Sequence, residues 1–210
     1  MRNAAASDII STVRDPVPIA NPNFAAVLLA GGRSTRMGRD KATLVIEGQP
    51  LWQRQLDKLR ALEPCELFIS GRCAGPYASA GVEIIEDSVP GLGPLGGVAA
   101  ALRRATSPRV LVLAVDLPRM SAEFLASLLR EPHPTIPRHG NFFEPLAAVY
   151  PKCALPVAEE MLGQEDRSMQ RFVRGLLERN WVQARTTRAA EVGYFKNLNH
   201  PDDCAPDGAT

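Results

Sequence analysis

The chain has 210 residues, and its 24 Lys or Arg against 23 Asp or Glu give a formal net charge of +1. This length suits one α/β domain with a substantial core. The charge balance gives no reason to expect a nucleic acid or a membrane surface as partner, and the sequence has no apolar run long enough to span a bilayer.

The ends of the chain and its cysteines point to an ordinary intracellular protein. Residues 1–23 contain an early arginine but no long apolar core, so we expect a flexible leader rather than a secretory signal. No pair of cysteines has the C-x-x-C spacing of a zinc site. We therefore expect reduced cysteines and a cytoplasmic location; the cysteines are Cys65, Cys73, Cys153 and Cys204.

An apolar run at 25–30 ends abruptly in Gly31 and Gly32, and the cations Arg36 and Lys41 follow in the same short stretch. A run that is apolar throughout is typical of a parallel strand covered on both faces. Glycines let a ligand approach the backbone, and successive N–H groups beside cations form an anion-binding concavity. The pattern favours a polyphosphate site at the carboxyl end of the first strand, although Gly-Gly alone is more often only a turn.

Strand and helix patterns alternate over the next hundred residues. Leucine spacing predicts a helix from Leu51 to about Leu62, and short apolar runs predict strands at 67–69 and 82–85. The stretch 89–97, with four glycines and two prolines, predicts a shaped loop that leads into a helix from Val98 to Arg104. Repeated strand–loop–helix units predict an α/β fold with a parallel sheet and right-handed crossovers.

The most continuous strand pattern, at 109–115, runs directly into Asp116. A carboxylate at the carboxyl end of a central strand is well placed to hold Mg²⁺ together with substrate phosphates. An aspartate that merely begins a turn is the alternative. Farther along, Asn197 and Asn199 have amide oxygens that can complete a Mg²⁺ shell or hold a phosphate, although on these residues alone an ordinary turn before Pro201 is the better explanation.

Beyond residue 130 the patterns weaken. Prolines at 132, 134 and 137 interrupt the chain, and 142–150 is partly extended around Pro145. Helices are predicted at 153–162 and 169–177, and a strand at 181–184. We expect one domain over 24–203, with a nucleotide half to about residue 130, an acceptor half beyond it, and a tail at 204–210.

The string L-A-G-G-R-S-T-R-M-G-R-D-K, residues 29–41, resembles the signature loop of the molybdenum cofactor guanylyltransferases, within a wider nucleotidyltransferase superfamily. The stretches P-G-L-G-P-L-G-G, E-D-S and N-x-N are similar to later family motifs. The resemblance implies a Rossmann-like three-layer α/β/α sandwich of the nucleotide-diphospho-sugar transferase type, mostly parallel, with a mixed acceptor-side extension. It also implies Mg²⁺-dependent transfer of GMP from GTP to molybdopterin, with other proteins of molybdenum cofactor biosynthesis or acceptor proteins as further partners.

The resemblance and the chemistry of the side chains together define candidate site residues. Those expected to act in catalysis are Arg36, Lys41 and Asp116, and the metal ligands are Asp116 and Asn199. Those expected to bind the nucleotide are Leu29, Ala30, Gly31, Gly32, Lys41, Ser70, Asp87 and Asp116. Ser70 departs from the asparagine that relatives often have, and His200 departs from the Ser or Thr that often follows N-x-N.

Three alternatives stay open. The first two are a molybdopterin cytidylyltransferase, whose loop more often reads L-A-A-G, and a sugar-phosphate nucleotidyltransferase. The third is a nucleotide-binding module without turnover, against which the presence of Lys41 and Asp116 argues. The loop matches neither G-x-x-x-x-G-K-[ST] nor G-x-G-x-x-G, which disfavours P-loop NTPases and dinucleotide-binding oxidoreductases.

Overall fold

The computed structural model describes residues 23–31, 41–86 and 91–198, with Lys41 described by its backbone alone. Within these ranges the strands are β1 Phe24–Leu29, β2 Val45–Ile46, β3 Gln49–Pro50, β4 Glu66–Ser70, β5 Glu83–Ile85, β6 Arg109–Ala114, β7 Thr135–His139, β8 Phe142–Phe143, β9 Ala147–Pro151 and β10 Gln183–Thr186. The α-helices are α1 Leu51–Arg60, α2 Pro94–Arg104, α3 Ala122–Leu129, α4 Leu155–Leu162 and α5 Met169–Glu178, and 3₁₀ turns occur at Lys41–Thr43, Lys152–Ala154 and Ala189–Phe195.

The central sheet has the strand order β5-β4-β1-β6-β9. Strand β1 pairs in parallel with β4 on one side and with β6 on the other, while β9 runs antiparallel to β6 at the edge. A three-stranded sheet, β10-β7-β8, and the short β2-β3 hairpin complete the strands of the described ranges. The predicted mostly parallel sheet with a mixed extension is confirmed.

Both faces of the central sheet are covered, which explains the apolar runs of β1 and β6. One face of β1, formed by Ala25, Val27 and Leu29, lies in the core that contains α2, α4 and α5. The other face, formed by Phe24, Ala26 and Leu28, lies in the core that contains α1 and α3. The strand β6 alternates in the same way between the two cores. A strand with no solvent face has no position for a polar residue, and the result is the predicted α/β/α sandwich.

Several helix predictions agree with the structure, and their ends have clear causes. The helix predicted at 51–62 is α1, whose first N–H donates to the Leu44 carbonyl at 2.8 Å in place of a capping side chain. Ser121 caps α3, since its Oγ accepts from the Phe124 N–H at 3.1 Å. No helix in the described ranges has the length and hydrophobicity to cross a membrane.

Two predictions of local structure were wrong. The helix expected from Val98 begins at Pro94, so Gly96 and Gly97 belong to α2 rather than to a loop; proline suits the first turn of a helix, where its missing N–H costs nothing. The prolines after residue 131 do not prevent the strand β7, because Pro137 contributes only its carbonyl oxygen, which accepts from Glu144 N–H at 2.8 Å.

At the amino end of the sheet, the carboxylate of Glu66 joins β4 to the connection before β6. It accepts from the N–H of Thr106 at 2.8 Å, from the N–H of Ser107 at 2.8 Å and from the Ser107 hydroxyl at 2.6 Å. Burial raises the pKa of Glu66, but these hydrogen bonds from Ser107 and Thr106 outweigh it and hold the pKa below its ordinary value of 4.5. The ionised form therefore stabilises the fold.

This arrangement predicts an acid-dependent loss of stability. A carboxyl group whose folded pKa lies below its unfolded value stabilises the protein above about pH 4.5, and this contribution disappears as the pH falls through the folded pKa. We expect Glu66→Gln to lower the free energy of unfolding by on the order of 1 kcal/mol at pH 7 and to cost progressively less below pH 4.5. Urea denaturation across pH is the measurement.

The matched control is Glu159→Gln, which removes only an exposed ion pair with Arg103 at 2.9 Å. Exposed pairs contribute about 0–1 kcal/mol. A cost of Glu66→Gln that stays constant from pH 7 to pH 3 would contradict the role assigned to the carboxylate.

Candidate functional site

The strand order reverses at β1, because the chain runs from β1 to β4 and β5 on one side and then crosses to β6 on the other. In open α/β sheets, ligands bind in the crevice at such a switch point, outside the carboxyl ends of the strands. Gly31 follows the end of β1, and Asp116 follows the end of β6. Because β1 and β6 are adjacent and parallel, the structure brings these two predicted site positions to the same edge.

The turn that carries Asp116 is anchored to several parts of the sheet edge. Val115 N–H donates to the Leu29 carbonyl at 3.0 Å, one step beyond the β1–β6 ladder. The Asp116 carbonyl accepts from Leu198 N–H at 2.9 Å, which brings the Asn197–Leu198 segment beside the turn. Asp116 itself is half-buried, Leu198 is buried and Asn197 is exposed, so hard oxygen donors of the kind Mg²⁺ prefers occur on both segments.

The end of β4 closes the other side of β1. The Ser70 carbonyl accepts from both Ala30 N–H and Gly31 N–H, each at 2.9 Å. These two amides therefore donate to a carbonyl of the protein itself. Any amides that hold a phosphate would have to belong to later residues of the glycine loop. The Ser70 side chain is buried against α2, where a Cβ added to Gly97 would lie 2.6 Å from its Oγ.

Gly71 owes its identity to the buried ring of Tyr77. An added Cβ at Gly71 would lie 1.9 Å from the Tyr77 Oη, and that oxygen accepts from Arg72 N–H at 2.9 Å. The Gly71 N–H itself donates to the Ile85 carbonyl at 3.0 Å, which joins the ends of β4 and β5. The loop beside the crevice is thus fixed by packing that leaves no room for a side chain.

Sequence reasoning missed two residues of α1 that reach the Asp116 turn. Gln55 is fully buried and donates to the Leu117 carbonyl at 2.6 Å, and Lys58 donates to the Pro118 carbonyl at 2.9 Å. Burial, and secondarily the nearby Arg54, lower the pKa of Lys58 to about 8. One signal was available: Gln55 stands four residues from both Leu51 and Leu59, at a core position of the helix.

Glu144 lies in the turn that enters β9. Since Leu146 carbonyl accepts from Ala114 N–H at 2.8 Å, this turn meets the same edge of the sheet as Asp116. Burial raises the pKa of Glu144. The Tyr150 hydroxyl donates to the Pro145 carbonyl at 2.8 Å, and this hydrogen bond joins the turn to β9.

The remaining predicted site residues lie outside the described part of the chain. They are Gly32, Arg36, Asp87 and Asn199, together with the side chain of Lys41. Among the described residues, no group of three or more His, Cys, Asp or Glu side chains is arranged to hold a metal ion. The three described cysteines, at 65, 73 and 153, are free and exposed.

An open α/β sheet with a glycine loop and a carboxylate at its switch point defines a nucleotide-binding protein of the doubly wound class. A family model described as the MobA-like NTP transferase domain matches residues 26–184. The chain belongs to this family of nucleotidyltransferases, and the resemblance drawn from its loop sequence is confirmed.

Relatives and solved structures agree with this assignment. A probable molybdenum cofactor guanylyltransferase of Opitutus terrae is 40% identical over 186 residues, which cover 86% of this chain and 92% of the relative. The molybdopterin-guanine dinucleotide biosynthesis protein A of Archaeoglobus fulgidus has a similar structure, with a TM-score of 0.68, 27% identity and coverage of 86% and 94% of the two chains. A 2-C-methyl-D-erythritol 4-phosphate cytidylyltransferase of Thermus thermophilus, at 19% identity, TM-score 0.59 and coverage of 85% and 94%, shares the fold.

The contact between Gly71 and Tyr77 predicts that Gly71→Ala is destabilising. The new Cβ would have to displace a buried phenol ring, and overpacking of this kind costs about 1–3 kcal/mol. The measurement is the midpoint of urea denaturation. The control is Gly175→Ala in α5, whose Cβ would lie 3.5 Å from the mobile end of Arg179 and should stabilise the helix by about 0.5–1 kcal/mol. Equal effects of the two changes would contradict the packing argument.

Proposed function

We propose that this protein transfers GMP from GTP to molybdopterin and releases pyrophosphate, forming the guanine dinucleotide form of the cofactor. The observation that carries the proposal is the meeting of the β1 and β6 ends, with Gly31 and Asp116, at the switch point of the sheet. It is supported by the names of the relatives, among them the guanylyltransferase at 40% identity.

The chemistry is an in-line displacement at phosphorus. A phosphate oxygen of the acceptor forms a bond to the α-phosphorus of GTP, and the bond from that phosphorus to the oxygen bridging to the β-phosphate breaks. The electron pair leaves with pyrophosphate. Positioning and charge neutralisation supply catalysis of this kind, so no covalent enzyme intermediate is needed. In the proposal Arg36 and Lys41 neutralise the charge that develops on the leaving group.

The proposed metal is Mg²⁺, which would be held by Asp116 and Asn199. The described residues fit a hard cation: Asp116 is half-buried just past the end of β6, and its carbonyl accepts from Leu198 N–H, beside Asn197. When bound, Mg²⁺ supplies positive charge to the phosphates of the nucleotide. The Asp116 carboxylate would be held in place for this role, because the neighbouring Val115 N–H is bonded to the Leu29 carbonyl of β1.

Base choice in the proposal depends on Asp87. A carboxylate accepts from the N1–H and 2-amino groups of guanine, a paired donor edge that cytosine lacks. Leu29, Ala30, Gly31, Gly32 and Ser70 complete the nucleotide-binding set that we propose. The acceptor would bind against the half beyond residue 130, whose turn at Glu144 meets the same edge, and other cofactor-biosynthesis or acceptor proteins would receive the product. We place this activity in the cytoplasm.

The role of Asp116 predicts the effect of an isosteric change. Asp116→Asn removes the charge of the carboxylate but keeps its shape, and we expect turnover to fall by about 10²–10³ or more, as when one stabilising group of an active site is lost. The measurement is the rate of pyrophosphate release. Asp57→Asn, on an exposed surface of α1 where Asp57 pairs with Arg60 at 3.1 Å, is the matched control. Normal turnover by Asp116→Asn would remove this residue from the mechanism.

Substrate identity is tested by comparing GTP, CTP and ATP with molybdopterin present and absent. The proposal predicts pyrophosphate release with GTP and only when molybdopterin is added. Release with CTP would instead identify a cytidylyltransferase, and release with a sugar phosphate as acceptor would identify a sugar-phosphate nucleotidyltransferase. GTP binding without pyrophosphate under every condition would identify a binding module and contradict the proposal.

A further inference from the structure

The turn between β6 and α3 carries Asp116 on irregular backbone, one residue past the last bond of the β1–β6 ladder, which joins Val115 N–H to the Leu29 carbonyl. Its carbonyl groups need donors, because a buried carbonyl without a partner is costly. Backbone N–H groups supply two of these donors. The Leu117 carbonyl accepts from Met120 N–H at 3.0 Å, and the Asp116 carbonyl accepts from Leu198 N–H at 2.9 Å. Side chains of α1 supply further donors.

Gln55 is the first of these side chains. Its Nε2 lies 2.6 Å from the Leu117 carbonyl oxygen and 3.4 Å from the Ala114 carbonyl oxygen, so it bridges the two sides of Asp116. The residue is fully buried and occupies a core position of α1, between Leu51 and Leu59 on the same stripe. An apolar residue would suit packing alone at this position, so the amide points to a requirement of the turn rather than of the core.

Lys58, one turn farther along α1, completes the contact. Its Nζ donates to Gln55 Oε1 at 2.6 Å and to the Pro118 carbonyl at 2.9 Å. The ammonium thereby fixes the orientation of the Gln55 amide, since the oxygen must face Lys58 and the NH₂ must face the turn. Burial opposes the charge of this lysine, and the carbonyl and amide oxygens around it compensate.

We propose that Gln55 and Lys58 are positioning residues for Asp116: they hold the turn after β6 so that the carboxylate meets the triphosphate and its metal in a fixed geometry. This inference rests on the function proposed above. Residues that orient a metal ligand or its backbone without touching the metal typically affect metal affinity or activity by about 10- to 100-fold. Both residues act through Asp116 and its turn rather than by contact with the substrate.

The test uses Gln55→Met and Lys58→Met in the full-length protein, each of which keeps an unbranched chain but removes the donors. Gln53→Met, a half-buried glutamine of the same helix, is the matched control. We expect kcat to fall about 10- to 100-fold and the Mg²⁺ concentration for half-maximal rate to rise in both test variants. Assays run well below the measured Tm of each variant separate positioning from a loss of folded protein.

A double variant shows whether the effect passes through Asp116. If it does, Gln55→Met added to Asp116→Asn should cause little further loss, because residues that act as a unit are not additive. Full additivity, or a Gln55→Met variant with the kcat and Mg²⁺ dependence of Gln53→Met, would overturn the inference.

A binding measurement keeps this test apart from the proposed transferase activity. The Mg²⁺ dependence of GTP affinity, measured by calorimetry, requires no turnover. A wild type that binds Mg²⁺–GTP but releases no pyrophosphate would defeat the proposed function alone, and the positioning role would then depend on whether Gln55→Met weakens that binding about 10-fold or more. Unchanged Mg²⁺–GTP affinity in Gln55→Met together with unchanged kcat would defeat the positioning role alone.

Discussion

The hydrogen bond from Val115 N–H to the Leu29 carbonyl, 3.0 Å long, continues the β1–β6 ladder one residue past its last strand pair, Leu29 and Ala114. Both strands run in the same direction, so this bond sets their two ends at the same level. The chain therefore leaves β1 and β6 at the same edge of the sheet. The glycine loop begins on one side of this bond and Asp116 on the other. Gly31 and Asp116 therefore lie at the same edge of the sheet, where open α/β sheets bind ligands.

The strands β1 and β6 are buried on both faces. The backbone groups at their ends therefore need hydrogen-bond partners within the protein. At the amino end, Glu66 accepts three hydrogen-bond donors from Thr106 and Ser107. At the carboxyl end, the Ser70 carbonyl receives two amides, and Gln55 and Lys58 supply side-chain donors to the Asp116 turn. In these places, buried polar side chains lie where strands or turns end, because irregular backbone there must be satisfied.

The contrast between a buried sheet and the polar turns at its ends allows proteins with this fold to differ in substrate. The fold is shared with the cytidylyltransferase of Thermus thermophilus at 19% identity, and a shared fold does not imply a shared substrate. In such folds, function is located in sites carried by the loops that leave the sheet. The strands β7, β8 and β10, all beyond residue 130, form a sheet separate from the central one.

The sequence by itself determined the fold class, the central strands, the helix α1 and the positions of Gly31 and Asp116 at strand ends, because buried parallel strands and amphipathic helices leave strong local patterns. It did not reveal β7, since the proline at 137 disfavours a strand and only pairing with β8 and β10 overrides it. It also did not reveal that Gln55 and Lys58 reach a turn 59 to 62 residues away in the chain. Such contacts depend on how α1 packs across the sheet, and tertiary structure alone decides them.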